Sequence, residues 1–569
     1  MVDDSSEKAH YDDAASTGSS SSTSRPSTRG STERTPTPSD IEKSPDIIFP
    51  TPAIEPTTTR SSTRSQHPDF EVDWAENDPG NPINWSSRYK ATATALVAWS
   101  TLVVVVYSTS YTSGLYGMMK DFQIDSEPVV TLGITTYLVG LAIGSMFLAP
   151  LSEMYGRKPI YVIAMSLFTL LIIPCGLATS LPEVIVVRFI GSLAGASMIA
   201  NSPGTVSDIS TEKNRALFFS IWSIGPLNGP TFGPIIGGFA TQYLGWRFTN
   251  WIVMMMAGTS VLAMILLSET YPPVLLQRKA ANLRKDTGDE RYWCRYDNRK
   301  QSFLQVLGVN LKRPFVMLFT EPICIFWDLY VSVIYGILYL CYVAYPIVFT
   351  EIRGWSLSFT GLSFTGIGIG CFITILCEPL IRRMIESHRK DLSTGKVPPE
   401  AMVSVICIAA VLCPVGEIWF AWTCLPPVHW SLPIVAGIPF GAGNTAVFIY
   451  AVNYLAHSYG IYAASALAGN SLIRSLCGGG LPLAGAKMYS TLNAHWAGTL
   501  LGLLQVSLIP IPVIFYKYGH KIRMKSALIQ EMQRERERLE QKRVSRMEKA
   551  DRERKEVETA MIKVESNRF

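Results

Sequence analysis

The chain has 569 residues, 48% of them hydrophobic, with 42 Gly, 35 Pro and a formal net charge of only +5. Its mean hydropathy is +0.20. A positive mean over this length, with apolar runs near 20 residues, excludes an ordinary soluble globular protein and argues for repeated membrane spans.

Residues 1 to about 70 are rich in Ser, Thr and Pro with few aromatics. Such a segment buries too little apolar surface to order itself, so residues 1–89 are expected to form a disordered tail. No cleavable signal peptide is visible, so a later span is expected to act as the targeting signal. Asp78-Pro-Gly-Asn-Pro-Ile-Asn-Trp85 is rich in turn formers, and Trp85 suits a membrane interface. Apolar spans are predicted at roughly 91–112, 128–150, 159–179, 183–202, 217–241 and 248–268, then at 315–348, 358–380, 402–422, 431–455, 461–485 and 495–517. The spans fall into two sixes separated by a polar break, which carries ten Lys and Arg over about 269–313. The expected organisation is therefore a bundle over 90–268, a central loop over 269–313, a second bundle over 314–518 and a charged helical tail over 519–569. Glu548/Arg552 and Asp551/Lys555 have the i,i+4 order that supports a helix in that tail.

Arg157 and Lys158, Lys213 and Arg215, and Arg382, Arg383, Arg389 and Lys390 lie in loops on the same side as the central break. The positive-inside rule then puts both termini in the cytoplasm. The one glycosylation sequon, Asn84-Trp-Ser86, falls on that side and is expected to go unused. Most of the ten Cys sit inside apolar runs and form no CxxC pair, which reads as packing rather than disulfides or metal ligation. There is no GxxxxGK[ST] phosphate loop, no HExxH and no GxSxG. No enzyme activity, metal or cofactor is expected.

The informative residues are polar ones inside the spans. Arg188 in the fourth span and Asp328 in the seventh are costly in hydrocarbon and functional by default. Arg188 stays charged, so it can tune a neighbour or hold an anionic group. Asp328 can be a proton site, a cation-binding carboxylate or a paired structural charge. Glu378, Glu417 and Arg474 are further intramembrane charges, and the two Glu can reach the interface. Tyr107, Ser108 and Tyr111, then Tyr335, Tyr339 and Tyr342, then Tyr450, Asn453 and Tyr454, with Asn470, recur near mid-membrane. Their flat apolar faces and polar tips suit amphipathic or cationic organic molecules in a cavity; each alone also fits packing. In the fifth span, Asn228-Gly-Pro-Thr-Phe-Gly-Pro-Ile-Ile-Gly-Gly238 puts Gly229, Gly233 and Gly237 on one helical face, with Pro230, Pro234 and Gly238 beside them. A face without side chains lets a neighbouring helix approach closely. Glu153, Gly156, Arg157 and Lys158 form a charged turn between the second and third spans that can latch one conformation.

These residues carry a resemblance. Glu153-Met-Tyr-Gly-Arg-Lys158 resembles the loop signature of the major facilitator superfamily, although Ala149, Glu153 and Met154 depart from its usual residues. Gly229 to Gly238 resembles the fifth-span signature of that family's drug:proton antiporters, and Arg188 matches its fourth-span arginine. Asp78 to Trp85, Tyr335-Gly-Ile-Leu-Tyr339 and Tyr462-Ala-Ala-Ser-Ala-Leu-Ala468 are similar to its fungal twelve-span branch of multidrug and polyamine transporters. The resemblance implies an all-α membrane fold of two six-helix bundles rocking around a cavity. It also implies that Arg188 takes part in proton coupling; the assignment of Asp328 to the same task is a local reading. The fifth span is expected to face Gly366, Gly368 and Gly370 of the eighth. The implied activity is proton-coupled efflux of small organic compounds by a monomer in the plasma membrane. A polyamine or nutrient carrier, in the plasma or vacuolar membrane, and a non-transporting sensor are the alternatives. Expected partners are small organic substrates, protons and lipid, with no nucleic acid.

Overall fold

The computed structural model describes residues 70–75, 77–211, 214–297, 303–390, 397–534 and a few positions beyond, at 537–538, 541 and 544–545. The expected tail over residues 1–69 and the Glu548/Arg552 and Asp551/Lys555 pairs lie outside the described residues.

The first bundle comprises α1 (Ser87–Thr109), the short α2 (Leu115–Phe122), α3 (Glu127–Tyr155), α4 (Arg157–Leu177), α5 (Leu181–Ile209), α6 (Arg215–Leu244) and α7 (Trp246–Leu266). A connector follows, with α8 (Pro272–Thr287) and α9 (Phe303–Thr320). The second bundle comprises α10 (Pro322–Tyr345), α11 (Leu357–Ser363), α12 (Thr365–Leu376), α13 (Glu378–Glu386), α14 (Glu400–Thr423), α15 (Ser431–Tyr459), α16 (Ala463–Leu508) and α17 (Pro510–Lys525). Asn493 breaks α16 with non-helical backbone angles, so this one element holds the last two spans. With α1–α2 as one span and α11–α12 as another, the described helices make twelve crossings in two sets of six.

The crossings form because their sequences satisfy the backbone internally, which hydrocarbon demands. Local chemistry sets the ends. Ser86 caps α1 by accepting from Tyr89 N at 3.3 Å. Gly156 and Gly245 separate consecutive helices at φ 102° and 89°, a region where a Cβ would strain the backbone. The outer faces carry exposed Ile163, Leu266, Phe319 and Leu376, as lipid contact requires. The eighth crossing differs from its expected form. It ends at Leu376, and Glu378 starts the separate helix α13. Glu417 is 3% exposed within α14, enclosed by the bundle.

The bundles meet at several helix pairs. Thr135 of α3 donates to Gly479 O of α16 at 2.7 Å. Ser108 of α1 and Tyr339 of α10 share a hydrogen bond at 3.2 Å. The amide of Ser358 at α11 donates to Gln242 of α6 at 2.9 Å. Tyr116 of α2 also donates to Glu351, just after α10. These bonds tie the bundles in the half that holds the turn from α2 to α3 and the turn from α10 to α11.

The connector is more built than a polar loop. Residues 70–75, expected as part of the tail, lie against it: Glu71 bridges Trp293, and Val72 packs with Ala280 and Cys294 in a small core. Lys279 bonds Asp78 at 2.5 Å and lies 5.2 Å from the Trp74 ring. That contact holds the Asp78 carboxyl below its usual range, helped by the Gly80 amide.

Candidate functional site

Arg188 is 2% exposed on α5, and three tyrosine rings surround it. Its guanidinium carbon lies 4.5 Å from the Tyr107 ring centre, 4.3 Å from Tyr111 and 4.9 Å from Tyr137. Nε donates to Gly133 O at 3.1 Å, and one terminal nitrogen donates to Tyr107 O at 3.0 Å. Gly133 lets the Tyr111 ring pack closely beside the arginine, since an added Cβ would lie 2.5 Å from that ring. Sequence reasoning named Tyr107 and Tyr111 but missed Tyr137, whose spacing from Arg188 carries no local signal.

A polar and aromatic path leads from this cage into the second bundle. Ser108 follows Tyr107 and bonds Tyr339, whose ring lies 4.8 Å from that of Tyr335. Tyr335 lies under Arg474 of α16 at 4.9 Å, and Phe448 flanks the same guanidinium at 4.8 Å. Arg474 is within electrostatic reach of Asp328 on α10. Asn470, one helical turn before Arg474, donates to one Asp328 oxygen at 2.8 Å. The other Asp328 oxygen and Arg474 Nε are buried with no hydrogen-bond partner among the described residues. The structure thus brings Arg188, Tyr107, Tyr339, Tyr335, Asn470 and Asp328 into one run across both bundles. Among the described residues no hydrogen bond or ring contact joins the Tyr450 or Asn453 side chain to this run; the Asn453 carbonyl lies 2.9 Å from His457 Nδ1, one turn along α15.

The fifth-span motif faces two ways, against expectation. Gly229 lies against α1 and Gly237 against the turn that follows it, where an added Cβ would meet Val105 at 2.7 Å and Ser110 O at 2.6 Å; Gly233 abuts Thr109. That face packs inside its own bundle. The adjacent face crosses to the second bundle: a Cβ on Gly238 would come within 2.5 Å of Leu357 O, and one on Gly361 within 2.5 Å of Pro234 O. Of the expected eighth-span partners only Gly368 meets α6, at Thr231; Gly366 and Gly370 abut Ile434 and Ile438 of α15. The reason is geometric. A four-residue repeat defines one face, and Pro234 and Gly238 lie on the next one round the helix.

The charged turn is likewise intramolecular to one bundle. Arg157 pairs with Asp208 at 3.3 Å and donates to Ser152 at 2.7 Å. The carboxylate that caps α4 is Glu269, not Glu153. It accepts from Arg157 N at 2.9 Å and Lys158 N at 3.2 Å, and from Thr270 N and Tyr271 N at 3.0 Å each. A carboxylate at a helix N-terminus satisfies amides that would otherwise be orphaned. Glu269 follows the sixth span, 112 positions from the Arg157 amide, so no local pattern could reveal it.

Comparison with known proteins agrees with this architecture. The Major Facilitator Superfamily pattern matches residues 97–479. A Monascus ruber protein named as the transporter of a citrinin biosynthesis cluster is 40% identical over 461 residues, covering 80% of this chain and 91% of that one. An Aspergillus fumigatus protein named as a multidrug transporter is 37% identical, covering 80% of this chain and 75% of that one. Among solved structures, a proton:xylose symporter superposes with a TM-score of 0.54 at 15% identity, covering 76% of this chain and 96% of that chain.

Proposed function

Because the chain belongs to the major facilitator superfamily, and so is a multi-pass membrane transporter rather than an enzyme, we propose that it exports small organic compounds against an inward flow of protons. The observation that carries this reading is the run from Arg188 to Asp328 through Ser108, Tyr339, Tyr335 and Arg474. It crosses the interface along which two bundles would rock, so a charge change at one end reaches the contact that must open. Asp328 has one oxygen held by Asn470 and one unpartnered, which leaves a position for a proton. Protonation removes its attraction to Arg474 and frees that cation and its aromatic neighbours to rearrange. Arg188 keeps its charge throughout and fixes Tyr107 and Ser108 through their carbonyls.

Export is supported by the relatives, named as a biosynthesis-cluster transporter, a multidrug transporter and, in Trichophyton rubrum, an efflux pump. On this reading the protein works as a monomer in a fungal plasma membrane, with both termini and the Arg157 turn in the cytoplasm. The basic residues of the α3–α4 turn, the connector and α13 support that orientation. The test is growth of a fungal strain on a panel of toxicants with the gene present, deleted and restored. Deletion lowers resistance to, and raises accumulation of, at least one organic compound. Unchanged resistance and accumulation across the panel sinks the export reading, and altered polyamine uptake alone moves it to the carrier alternative.

A further inference from the structure

The cage around Arg188 borders a small cavity. Tyr107, Ser110, Tyr111, Arg188, Trp246 and Asn250 line it, together with Gly114 and Met118. It lies inside the first bundle rather than between the bundles. Gly114, Met118 and Trp246 place it toward the end where α2 turns into α3 and α6 into α7. An Asp121–Arg247 ion pair stands at that end, and Trp246 donates to Asp121 at 2.9 Å.

The charge of this site is unbalanced. Nε and one terminal nitrogen of Arg188 donate to backbone carbonyls, while its other terminal nitrogen makes no hydrogen bond among the described residues. Among the described residues no carboxylate lies within ion-pair distance of it. A buried cation without a counter-charge is strongly disfavoured, and ring faces offset only part of that cost. The cavity supplies what an anion needs: a free guanidinium N–H, the Ser110 hydroxyl, and an Asn250 amide that among the described residues donates only to Arg247 O, at a long 3.4 Å. The cavity volume is about 20 Å³. A single water needs roughly 10–15 Å³ by that measure, so one small ion fits and an aromatic substrate does not.

We propose that this cavity binds one chloride-sized inorganic anion as the counter-ion of Arg188. The ion enters from the face bearing the α2–α3 turn. It neutralises the guanidinium without engaging the transported compound, and the proposal does not rest on the export reading. The test uses the purified full-length chain in detergent. Sodium chloride is titrated against sodium gluconate at constant ionic strength, and the thermal midpoint and tryptophan fluorescence are read, since Trp246 lines the site. Chloride raises the midpoint saturably and shifts the fluorescence; gluconate, too large to enter, does neither. Ser110→Ala removes one donor and weakens chloride binding about tenfold, the equivalent of one hydrogen bond to a charged group. Arg188→Gln abolishes the response. Equal effects of chloride and gluconate overturn the proposal, as does a chloride dissociation constant that Ser110→Ala leaves unchanged. The Ser110 variant keeps the test decisive if Arg188→Gln does not fold.

Discussion

Gly361→Ala is expected to open the contact between the bundles without unfolding either one. The new Cβ would sit 2.5 Å from Pro234 O, about 0.9 Å inside the 3.4 Å at which ordinary contact begins. The obstacle is helix backbone, which cannot rotate away as a side chain can. Relief therefore comes from separating α11 from α6. Overpacking of this kind costs about 1–3 kcal/mol, and only the state with this end closed bears it. The ratio of open to closed forms should then rise about 5- to 150-fold. Hydrogen exchange followed by mass spectrometry reads this directly. Peptides covering 234–245 and 355–363 should exchange faster, with the α4–α5 region unaffected. Gly233→Ala is the control: its Cβ meets Thr109 of the same bundle, so it should lower the thermal midpoint and leave the ratio alone. If Gly361→Ala stays folded and exchange at this end does not change, α6 and α11 are not a moving interface.

Glu269→Ala orphans four backbone amides, two of them in the first turn of α4. A loss of about 2–4 kcal/mol is expected, seen as a lower thermal midpoint that Glu153→Ala does not reproduce. Asp328→Asn keeps the shape beside Asn470 but removes the charge facing Arg474, so it should change the relative transport of cationic and neutral substrates. Equal ratios before and after would make Asp328 structural. Residues 70–75 with 77–78 form a short strap against the connector, which should be acid-sensitive at its Asp78–Lys279 contact. The folded-state carboxyl is depressed, so its contribution is complete above the unfolded value near ~4 and is lost as pH falls through the lower folded value. Proteolysis of the strap at graded pH should quicken only below that point; a transition near neutral pH would contradict it.

Much of the architecture was legible because hydrocarbon imposes a simple code. Apolar runs of crossing length, a polar break between two sixes and Gly/Pro-rich spans all follow from having to satisfy the backbone without water. Partners were less legible. The repeat of Gly229, Gly233 and Gly237 marks a smooth face, yet spacing alone does not tell whether α1 or the other bundle fills it. Arg188 and Asp328 stand out as charges in apolar runs, whereas Arg474 acquires meaning only when Tyr335 and Phe448 close on it. Glu269 looks like the first polar residue after a span, and its role depends on a turn more than a hundred residues away. Tyr450 and Asn453 share the composition of this group, yet no hydrogen bond or ring contact among the described residues joins their side chains to it, and composition alone does not say which face of a helix a polar residue takes.

The central claim is that Arg188 belongs to the machinery that converts a proton gradient into movement of an organic substrate. It is tested most directly in proteoliposomes with an imposed pH gradient, loaded with a compound identified by the toxicant panel. The intact protein should move that compound against its concentration gradient and acidify the opposite compartment. Arg188→Ala, folded and reconstituted to the same density, should lose both movements. Gradient-driven transport of undiminished rate in that variant would remove Arg188, and the path from it to Asp328, from the mechanism.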